Sequence, residues 1–230
     1  MASLRGIIFD IDGTLVDSND QHAQAWCDAL SEFGYQVPYE TIRPLIGMGS
    51  DKLLPRAVGI DGKSELAKTM GVRRSAIFKE RYLPHLLPCP GAHDLLVQLD
   101  VRGLKMVVAT SAQKNEVNDL LAIVNGNKFF AGKTTSSDAD RSKPDPDIVT
   151  VALEKIGFAP DEVFMVGDTP YDIEAAGRAK IGTIALRCGG WDDKRLSGAI
   201  AVFDDPADLA QNLDRMLGPG GVTAWSGQLR

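Results

Sequence analysis

The stretch GIIFDIDGTLVDSND, residues 6–20, decides the fold of this chain. Its apolar start predicts a buried β-strand, which delivers Asp10 and Asp12 into a turn at the carboxyl end of the strand. Gly13 gives the turn backbone freedom, and Thr14 adds a small hydroxyl. Two carboxylates in this position could bind a hard cation, attack an electrophile or transfer a proton. An Asx-turn that closes a βα unit is the alternative that the stretch alone leaves open.

The composition is that of an ordinary globular protein. The 230 residues are 44% hydrophobic and 24% charged, which suits one large α/β domain or a core domain with an insert. The net charge of -6 and the pI of about 5.1 argue against nucleic acid or an anionic membrane as partner. We find neither a signal-peptide pattern nor an apolar run of membrane-spanning length, and therefore expect a cytoplasmic protein. The three cysteines lack metal-binding spacing, and we expect them to be reduced.

Further apolar runs resemble the first one, and each is followed by a segment with helical periodicity. These runs are 105–110, 163–167, 183–188 and 199–203, with a weaker one at 129–134. They lack the alternation of half-exposed strands, so we expect a parallel sheet with helices on both faces. The sequence thus predicts a doubly wound, Rossmann-like α/β core with its active site at the carboxyl ends of the strands.

Residues 18–88 interrupt the alternation of strands and helices. Their periodicity predicts helices only, over 21–33, 39–46, 51–58 and 64–83. We therefore expect a small all-helical cap domain inserted after the first strand. The core would then consist of 1–17 and 89–230.

Proline and glycine mark both ends of the second core segment. Residues 87–91 carry two prolines, each of which biases the preceding residue away from helix, and we expect a hinge there. Residues 218–221 are expected to end the last helix, because glycine and proline stop helices. Residues 222–230 are then expected to be loosely ordered.

Polar residues follow two of the other predicted strands. Thr110 and Ser111 precede a predicted helix, and a hydroxyl beside a helix N-terminus suits a phosphate oxygen, although capping is the more common use. Lys143 precedes a rigid Pro-Asp-Pro stretch and could direct its ammonium at a carboxylate and a phosphoryl group together. An isolated loop lysine is more often a solvated surface group, so a functional role for Lys143 is indicated only together with the other polar clusters.

A second acidic turn follows the strand predicted over 163–167. Asp168 and Asp172 flank the entry to the next helix, where acids often serve only as caps. The turn nevertheless repeats the chemistry of the first one. Asp10 and Asp168 could share one octahedral cation of the Mg²⁺ type.

Taken together and in order, these clusters resemble the haloacid dehalogenase-like hydrolase superfamily, whose members are mostly magnesium-dependent phosphatases. The matching motifs are DIDGT at 10–14, the strand that ends in Thr110, Lys143-Pro144, and GDTPYD at 167–172. The helical insertion resembles the cap shared by phosphoglycolate phosphatases and β-phosphoglucomutases.

The resemblance implies roles for the matching residues. Asp10 would be the nucleophile that forms an aspartyl-phosphate, and Asp12 would protonate the leaving oxygen and then activate water. Mg²⁺ would be held by the side chain of Asp10, the backbone carbonyl of Asp12 and the carboxylate of Asp168. Asp172 would lie just outside this ligand set or orient Lys143, which with Thr110 counts among the catalytic residues.

Two further groups of residues follow from the resemblance and the sequence. The phosphate-binding residues would be Gly13, Thr110, Ser111 and Lys143. The cap residues that could contact the leaving group are His22, Trp26, Arg43, Lys52 and the loop 47–50. For Trp26 a core position is the favoured interpretation, and for the loop a simple helix connection.

Several reactions remain open within this resemblance. Asp12 argues against dehalogenation, and the cap lysines show no pattern typical of phosphonate cleavage. A β-phosphoglucomutase is the main alternative, because HAQAW at 22–26 resembles those mutases, whereas the GDT motif with Asp172 is typical of phosphatases. A catalytically silent scaffold is the third possibility. We therefore expect a Mg²⁺-dependent phosphatase acting on a small phosphorylated metabolite, as a monomer or homodimer.

Overall fold

The strands of this protein form one parallel sheet and one small ribbon. The structure is a computed structural model that describes residues 4–217. Its strands are β1 (Gly6–Phe9), β2 (Val16–Asp17), β3 (Leu87–Pro88), β4 (Lys105–Ala109), β5 (Phe130–Thr134), β6 (Val163–Gly167), β7 (Gly182–Leu186) and β8 (Ala201–Phe203). The large sheet has the order β5-β4-β1-β6-β7-β8 with every pair parallel, while β2 and β3 pair antiparallel.

Helices connect the strands and cover the sheet. Within the described residues they are α1 (Asn19–Glu32), α2 (Tyr39–Ile42), α3 (Ser50–Val58), α4 (Glu65–Ile77), α5 (Ala92–Val101), α6 (Lys114–Ile123), α7 (Asp147–Ile156), α8 (Pro170–Arg178), α9 (Pro206–Gln211) and α10 (Leu213–Leu217). Shorter 3-10 or π turns are Arg43–Leu45, Phe78–Tyr82, Leu83–His85, Pro160–Glu162 and Arg187–Gly189. Between residues 4 and 217, no helix combines the length and apolar character needed to cross a membrane.

The central strand β1 shows why the sheet is buried on both sides. Successive side chains of a strand point to opposite faces. Ile7 and Phe9 accordingly pack in one hydrophobic cluster, and Ile8 packs in the other. All three are apolar because helices cover both faces, which confirms the predicted doubly wound α/β core.

Helices α1 to α4 form the insertion after β1 and have a hydrophobic core of their own. Trp26, Leu30 and Met70 are among the buried members of that cluster. At the start of α4 the hydroxyl of Ser64 accepts a hydrogen bond from the backbone N–H of Ala67 at 3.2 Å, the usual N-cap contact. The helical cap agrees with the sequence prediction, whereas its boundaries at 17/18 and 88/89 stay predictions.

The prediction of helices only over 18–88 is wrong at its end, because Leu87–Pro88 is the strand β3. A two-residue strand has no periodicity that a sequence pattern could reveal. Its proline is tolerated because a two-stranded ribbon leaves one edge of each strand without a partner. The α-helix predicted over 64–83 ends at Ile77. The chain then forms a π turn at Phe78–Tyr82 and a 3-10 turn at Leu83–His85. The expected end of the last helix at 218–221 and the loose tail at 222–230 lie outside the described residues.

We predict that Leu99→Ala lowers the free energy of unfolding by about 2–5 kcal/mol. Leu99 is fully buried on α5, and its truncation leaves a cavity in the main core. The matched control is Val101→Ala on the same helix, where the side chain is 80% exposed and the expected change is below about 0.5 kcal/mol. Urea unfolding followed by circular dichroism measures both values, and equal losses would contradict the assigned burial.

Candidate active site

The acidic and hydroxyl groups of the motifs meet at the carboxyl ends of three neighbouring strands. Asp10 follows β1, Thr110 follows β4 and Asp168 follows β6. The order β4-β1-β6 places these strand ends side by side, and the backbone N–H of Asp10 donates to the carbonyl of Val166 at 2.9 Å. The sheet itself therefore aligns residues that are more than 150 positions apart in the chain.

A buried lysine connects two of the carboxylates. The Nζ atom of Lys143 lies 2.7 Å from Oδ1 of Asp10 and 2.7 Å from Oδ1 of Asp172. All three side chains are almost completely excluded from solvent. Burial alone would lower the pKa of Lys143, but the charges of Asp10 and Asp172 outweigh burial and raise it. Lys143 is therefore a charged group held in a fixed position.

The carboxylate of Asp168 is held by two neutral donors. Thr14 Oγ1 donates to Oδ1 of Asp168 at 2.9 Å, and Asn19 Nδ2 donates to Oδ2 at 2.8 Å. The backbone approaches the carboxylate so closely that a Cβ atom on Gly189 would lie 1.8 Å from Oδ2. Gly13 combines φ of +73° with a similarly close approach to Asp168, so both positions require glycine.

Three buried acidic side chains lie close together in the site, and Lys143 contacts two of them. Oxygen atoms of Asp10, Asp168 and Asp172 all lie within 4.8 Å of one another, and all three residues are buried. Burial raises the pKa of Asp10 to about 7, and burial with the neighbouring carboxylates raises the pKa of Asp168 well above its ordinary range. A hard divalent cation with oxygen ligands would satisfy these charges, so the donor set fits Mg²⁺. The part of the Asp12 carbonyl in such a site stays a prediction.

The side chain of Asp12 contacts Ser18 and the cap residue His22, whereas that of Asp10 contacts Lys143. Oδ1 of Asp12 accepts hydrogen bonds from Ser18 Oγ at 2.6 Å and from His22 Nε2 at 2.8 Å. Arg74 Nη1 lies 3.4 Å from Nδ1 of His22. An arginine can only donate, so Nδ1 accepts and Nε2 carries the hydrogen that is directed at Asp12. Burial alone would raise the pKa of Asp12, but the interactions with His22 and Ser18 outweigh it and lower the pKa.

Two neighbouring cavities open from these residues towards the cap. The inner cavity, of about 50 Å³, is lined by Asp10, Asp12 and Thr110 on the core side and by His22 and Arg74 on the cap side. The outer cavity, of about 220 Å³, shares four lining residues with it. These shared residues are Trp26, Met48, Arg74 and Ser111. A phosphoryl group in the inner cavity would therefore direct the rest of a ligand into the outer one.

The predicted cap residues divide into two groups. His22 and Trp26 line the inner cavity, and Trp26 is also a member of the cap core. The charged groups of Arg43 and Lys52 do not face either cavity. Arg43 is hydrogen-bonded to Asp20 and to the carbonyl of Gly189, whereas Nζ of Lys52 lies 2.7 Å from Oδ2 of Asp145.

The loop 47–50 does more than connect two helices of the cap. The carbonyl of Gly47 accepts a hydrogen bond from Ser111 Oγ at 3.0 Å, and the N–H of Gly49 donates to Ser142 Oγ at 3.1 Å. Ser111 and Ser142 belong to the core, so the loop joins the cap to both sides of the phosphate-binding region. Its glycines permit this approach because a Cβ on Gly49 would collide with Ser142.

Asn19, Arg74 and Glu116 are among the residues in or beside the site that sequence reasoning missed. Arg74 had a detectable signal, because it shares the apolar stripe of α4 with Ala67, Met70 and Ile77. A charged residue on a buried stripe needs a partner from another element. Asn19 lies at the first position of α1, and no local pattern distinguishes it from an ordinary polar residue at a helix start.

Comparisons with a family model, with relatives and with solved structures all find hydrolases. A model of the haloacid dehalogenase-like hydrolase family matches residues 7–186. Pyrophosphatase PpaX of Oceanobacillus iheyensis is 28% identical over 188 residues, covering 80% of this chain and 84% of the relative. A phosphoglycolate phosphatase of Aquifex aeolicus is 30% identical over 219 residues, covering 92% of this chain and 97% of the relative. The crystal structure of a hydrolase from Pseudomonas syringae is 32% identical, has a TM-score of 0.85, and covers 92% of this chain and 99% of that chain.

We predict that Gly189→Ala removes most of the stabilisation that Mg²⁺ gives to the protein. The new methyl group cannot coexist with the present position of Asp168, so the arrangement of this carboxylate beside Asp10 must be disturbed. The measurement is the rise in Tm on addition of Mg²⁺. The matched control is Gly177→Ala on α8, where a Cβ meets nothing within 4 Å and the Mg²⁺ response should be unchanged. An undiminished response in Gly189→Ala would contradict the role of this contact.

We predict that the metal-free protein loses stability as the pH rises through about 7. The pKa of Asp10 is raised by burial from 3.8 to about 7, so the folded state binds this proton more tightly than the unfolded state. The resulting stabilisation is complete below about pH 3.8 and is lost as the pH passes about 7. Tm measured in EDTA should therefore fall between pH 6 and pH 8, and Asp10→Asn should reduce that fall. The exposed Asp161 provides the control, since Asp161→Asn should leave the fall unchanged.

Proposed function

The chain belongs to the haloacid dehalogenase-like hydrolase family, and we propose that it is a Mg²⁺-dependent phosphatase that hydrolyses a small phosphorylated metabolite through an aspartyl-phosphate on Asp10. The observation that carries this proposal is the buried Lys143, paired with Asp10 beside the cluster of three carboxylates. Its relatives with phosphatase and pyrophosphatase names support a phosphoric monoester hydrolase. The motif resemblance found in the sequence points to the same family.

The main obstacle to this reaction is the repulsion between an anionic nucleophile and an anionic substrate. Bound Mg²⁺ would supply positive charge to offset this repulsion. Lys143 contributes a second positive charge at a fixed atom, Nζ, and keeps the carboxylate of Asp10 in one orientation. Thr110 is fully buried at the inner cavity, where its hydroxyl can donate to an equatorial phosphoryl oxygen.

The proposed reaction has two steps. In the first, an oxygen of Asp10 bonds to phosphorus while the bond to the leaving oxygen breaks and Asp12 gives that oxygen a proton. In the second, water attacks the aspartyl-phosphate, Asp12 takes a proton from the water, and inorganic phosphate leaves. The lowered pKa of Asp12 favours the carboxylate that the second step needs. In the first step the incoming anionic phosphate beside Asp12 favours its protonated form.

Contacts from the cap place His22 and Arg74 close to the acid–base residue. His22 donates to Asp12 and stacks on Phe78 with ring centroids 3.9 Å apart. Both rings belong to the cap, whereas Asp12 follows β1 of the core. We propose that closure of the cap completes the acid–base arrangement and excludes water from the phosphoryl group.

We predict that the protein releases phosphate from p-nitrophenyl phosphate and from a small phosphorylated metabolite in the presence of Mg²⁺. Asp10→Asn should lower kcat by at least about a thousandfold, because the nucleophile is removed. Asp161→Asn, at the opposite end of β6, should retain activity, and EDTA should abolish turnover until Mg²⁺ is returned.

The products distinguish this proposal from the two alternatives. Free phosphate should appear in proportion to the substrate consumed. Isomerised sugar phosphate without free phosphate, for instance glucose 6-phosphate formed from β-glucose 1-phosphate, would instead identify a mutase. Equal activity of the unmodified protein and Asp10→Asn, or no turnover of any phosphorylated compound, would contradict the proposed enzyme.

A further inference from the structure

The charges around the outer cavity bear on which leaving group the enzyme accepts. This cavity, of about 220 Å³, lies between the cap and the core next to the proposed phosphoryl site. Apart from His22 in the inner cavity, Arg74 is the one basic residue that lines either cavity among residues 4–217. The net charge that a leaving group meets therefore depends on how the guanidinium of Arg74 is paired.

Arg74 is neutralised by a carboxylate of the core. Its Nη1 lies 3.3 Å from both Oε1 and Oε2 of Glu116, which is fully buried on α6. The hydroxyl of Ser75 also donates to Oε1 of Glu116 and keeps this carboxylate in place. Arg74 itself is only 7% exposed, so little water screens the pair. The pair of Arg74 and Glu116 thus carries no net charge beside the cavity.

Arg74 nevertheless retains hydrogen-bonding capacity. Its buried Nε has no hydrogen-bond partner within the described part of the chain. An unpaired buried donor is costly, and a ligand oxygen in the adjacent cavity would satisfy it. Ser50, Ser111 and Ser136 line the same cavity. The hydroxyls of Ser111 and Ser136 donate to the carbonyls of Gly47 and Ala112, so they can accept a hydrogen bond from a ligand hydroxyl. These groups suit a ligand that carries hydroxyls.

Two acidic residues add negative charge to the lining of the outer cavity. Asp51 and Asp140 both line it. The carboxylate of Asp51 is bound by the hydroxyl and the backbone N–H of Ser142, which are neutral donors. Lys52, the next residue along the chain, has its ammonium on Asp145 instead. A carboxylate or phosphate in this cavity would therefore face uncompensated acidic groups.

From this charge distribution we infer that the outer cavity accepts an uncharged, hydroxyl-bearing leaving group and disfavours an anionic one. In this inference Glu116 is a specificity-determining residue that acts through Arg74. The inference rests on the proposed phosphatase function and names the substrate class of the same site. The inferred preference differs from that of enzymes named for phosphoglycolate or pyrophosphate, because the leaving groups of those two substrates are anionic. Glu116 does not contact the reacting atoms and positions Arg74 instead.

Two substrates with the same number of carbon atoms test the inference, because one ends in a neutral group and the other in an anionic group. They are 2-hydroxyethyl phosphate, with a neutral hydroxyl, and phosphoglycolate, with a carboxylate. We expect kcat/KM of the unmodified enzyme to be at least about tenfold higher for the neutral substrate, which corresponds to about 1.4 kcal/mol. In Glu116→Gln the ratio should fall by about tenfold, because the guanidinium then carries an uncompensated positive charge.

Control variants separate this charge effect from a structural one. Glu32→Gln also removes one negative charge, but Glu32 pairs with the exposed Arg73 on the outer face of the cap, so the ratio should not change. Asp140→Asn removes an exposed carboxylate at the cavity wall and should lower the ratio by about two- to threefold without affecting folding. Asp140→Asn therefore tests the inference even if Glu116→Gln is unstable. A ratio near one in the unmodified enzyme, or an unchanged ratio in both cavity variants, would overturn the inference.

The same ligands distinguish failure of this inference from failure of the proposed function. Turnover of p-nitrophenyl phosphate without preference for 2-hydroxyethyl phosphate would reject the specificity but retain the phosphatase. If no substrate is turned over, titration calorimetry with the two phosphates and Mg²⁺ replaces kinetics. At least tenfold tighter binding of 2-hydroxyethyl phosphate would then support the inference, and equal or tighter binding of phosphoglycolate would overturn it.

Discussion

The position of one ammonium group, Nζ of Lys143, governs the architecture of the site. A buried charge is unfavourable unless groups of opposite charge and good geometry surround it. Lys143 meets this requirement through Asp10 and Asp172, which follow different strands of the sheet. The requirement is mutual, because the carboxylates are also buried and would repel one another without the lysine. Sheet order, loop conformation and burial are therefore all constrained by the need to balance these buried charges.

The cap contributes to this balance from the other side of the cavities. Among the polar contacts that join it to the core are those of Ser111 with Gly47, Ser142 with Gly49, and Glu116 with Arg74. The first two are hydrogen bonds to the backbone of the loop, which hold the loop in place and add no charge to the cavities. The third joins side chains of opposite charge and changes the electrostatic character of the space between the two parts. Backbone hydrogen bonds and a charged side-chain pair thus both hold the cap against the core.

The sequence predicted the sheet well because its strands are buried on both faces and read as continuous apolar runs. It also predicted which residues would meet, since Asp10, Thr110 and Asp168 all follow strands and parallel strands end at the same edge. Asn19 and Glu116 escaped prediction because their partners are distant in sequence and their local patterns are ordinary. Arg43 and Lys52 were expected near the ligand on charge alone, but nearer carboxylates bind both of them. Charged residues of the cap have many possible partners, and only the three-dimensional arrangement selects among them.

The small ribbon of β2 and β3 has a consequence for how this architecture can change. Asp17 and Leu87 are paired residues of adjacent strands, so their Cα atoms are only about 5 Å apart. The chain thus leaves the core and returns to it at almost the same point, although some seventy residues lie between. A segment of quite different length or shape could occupy that position without any change to the sheet connections. Exchange of such an insertion, whose two ends are already joined, would change the side chains that face the cavities and leave in place the strand ends that carry Asp10, Thr110 and Asp168.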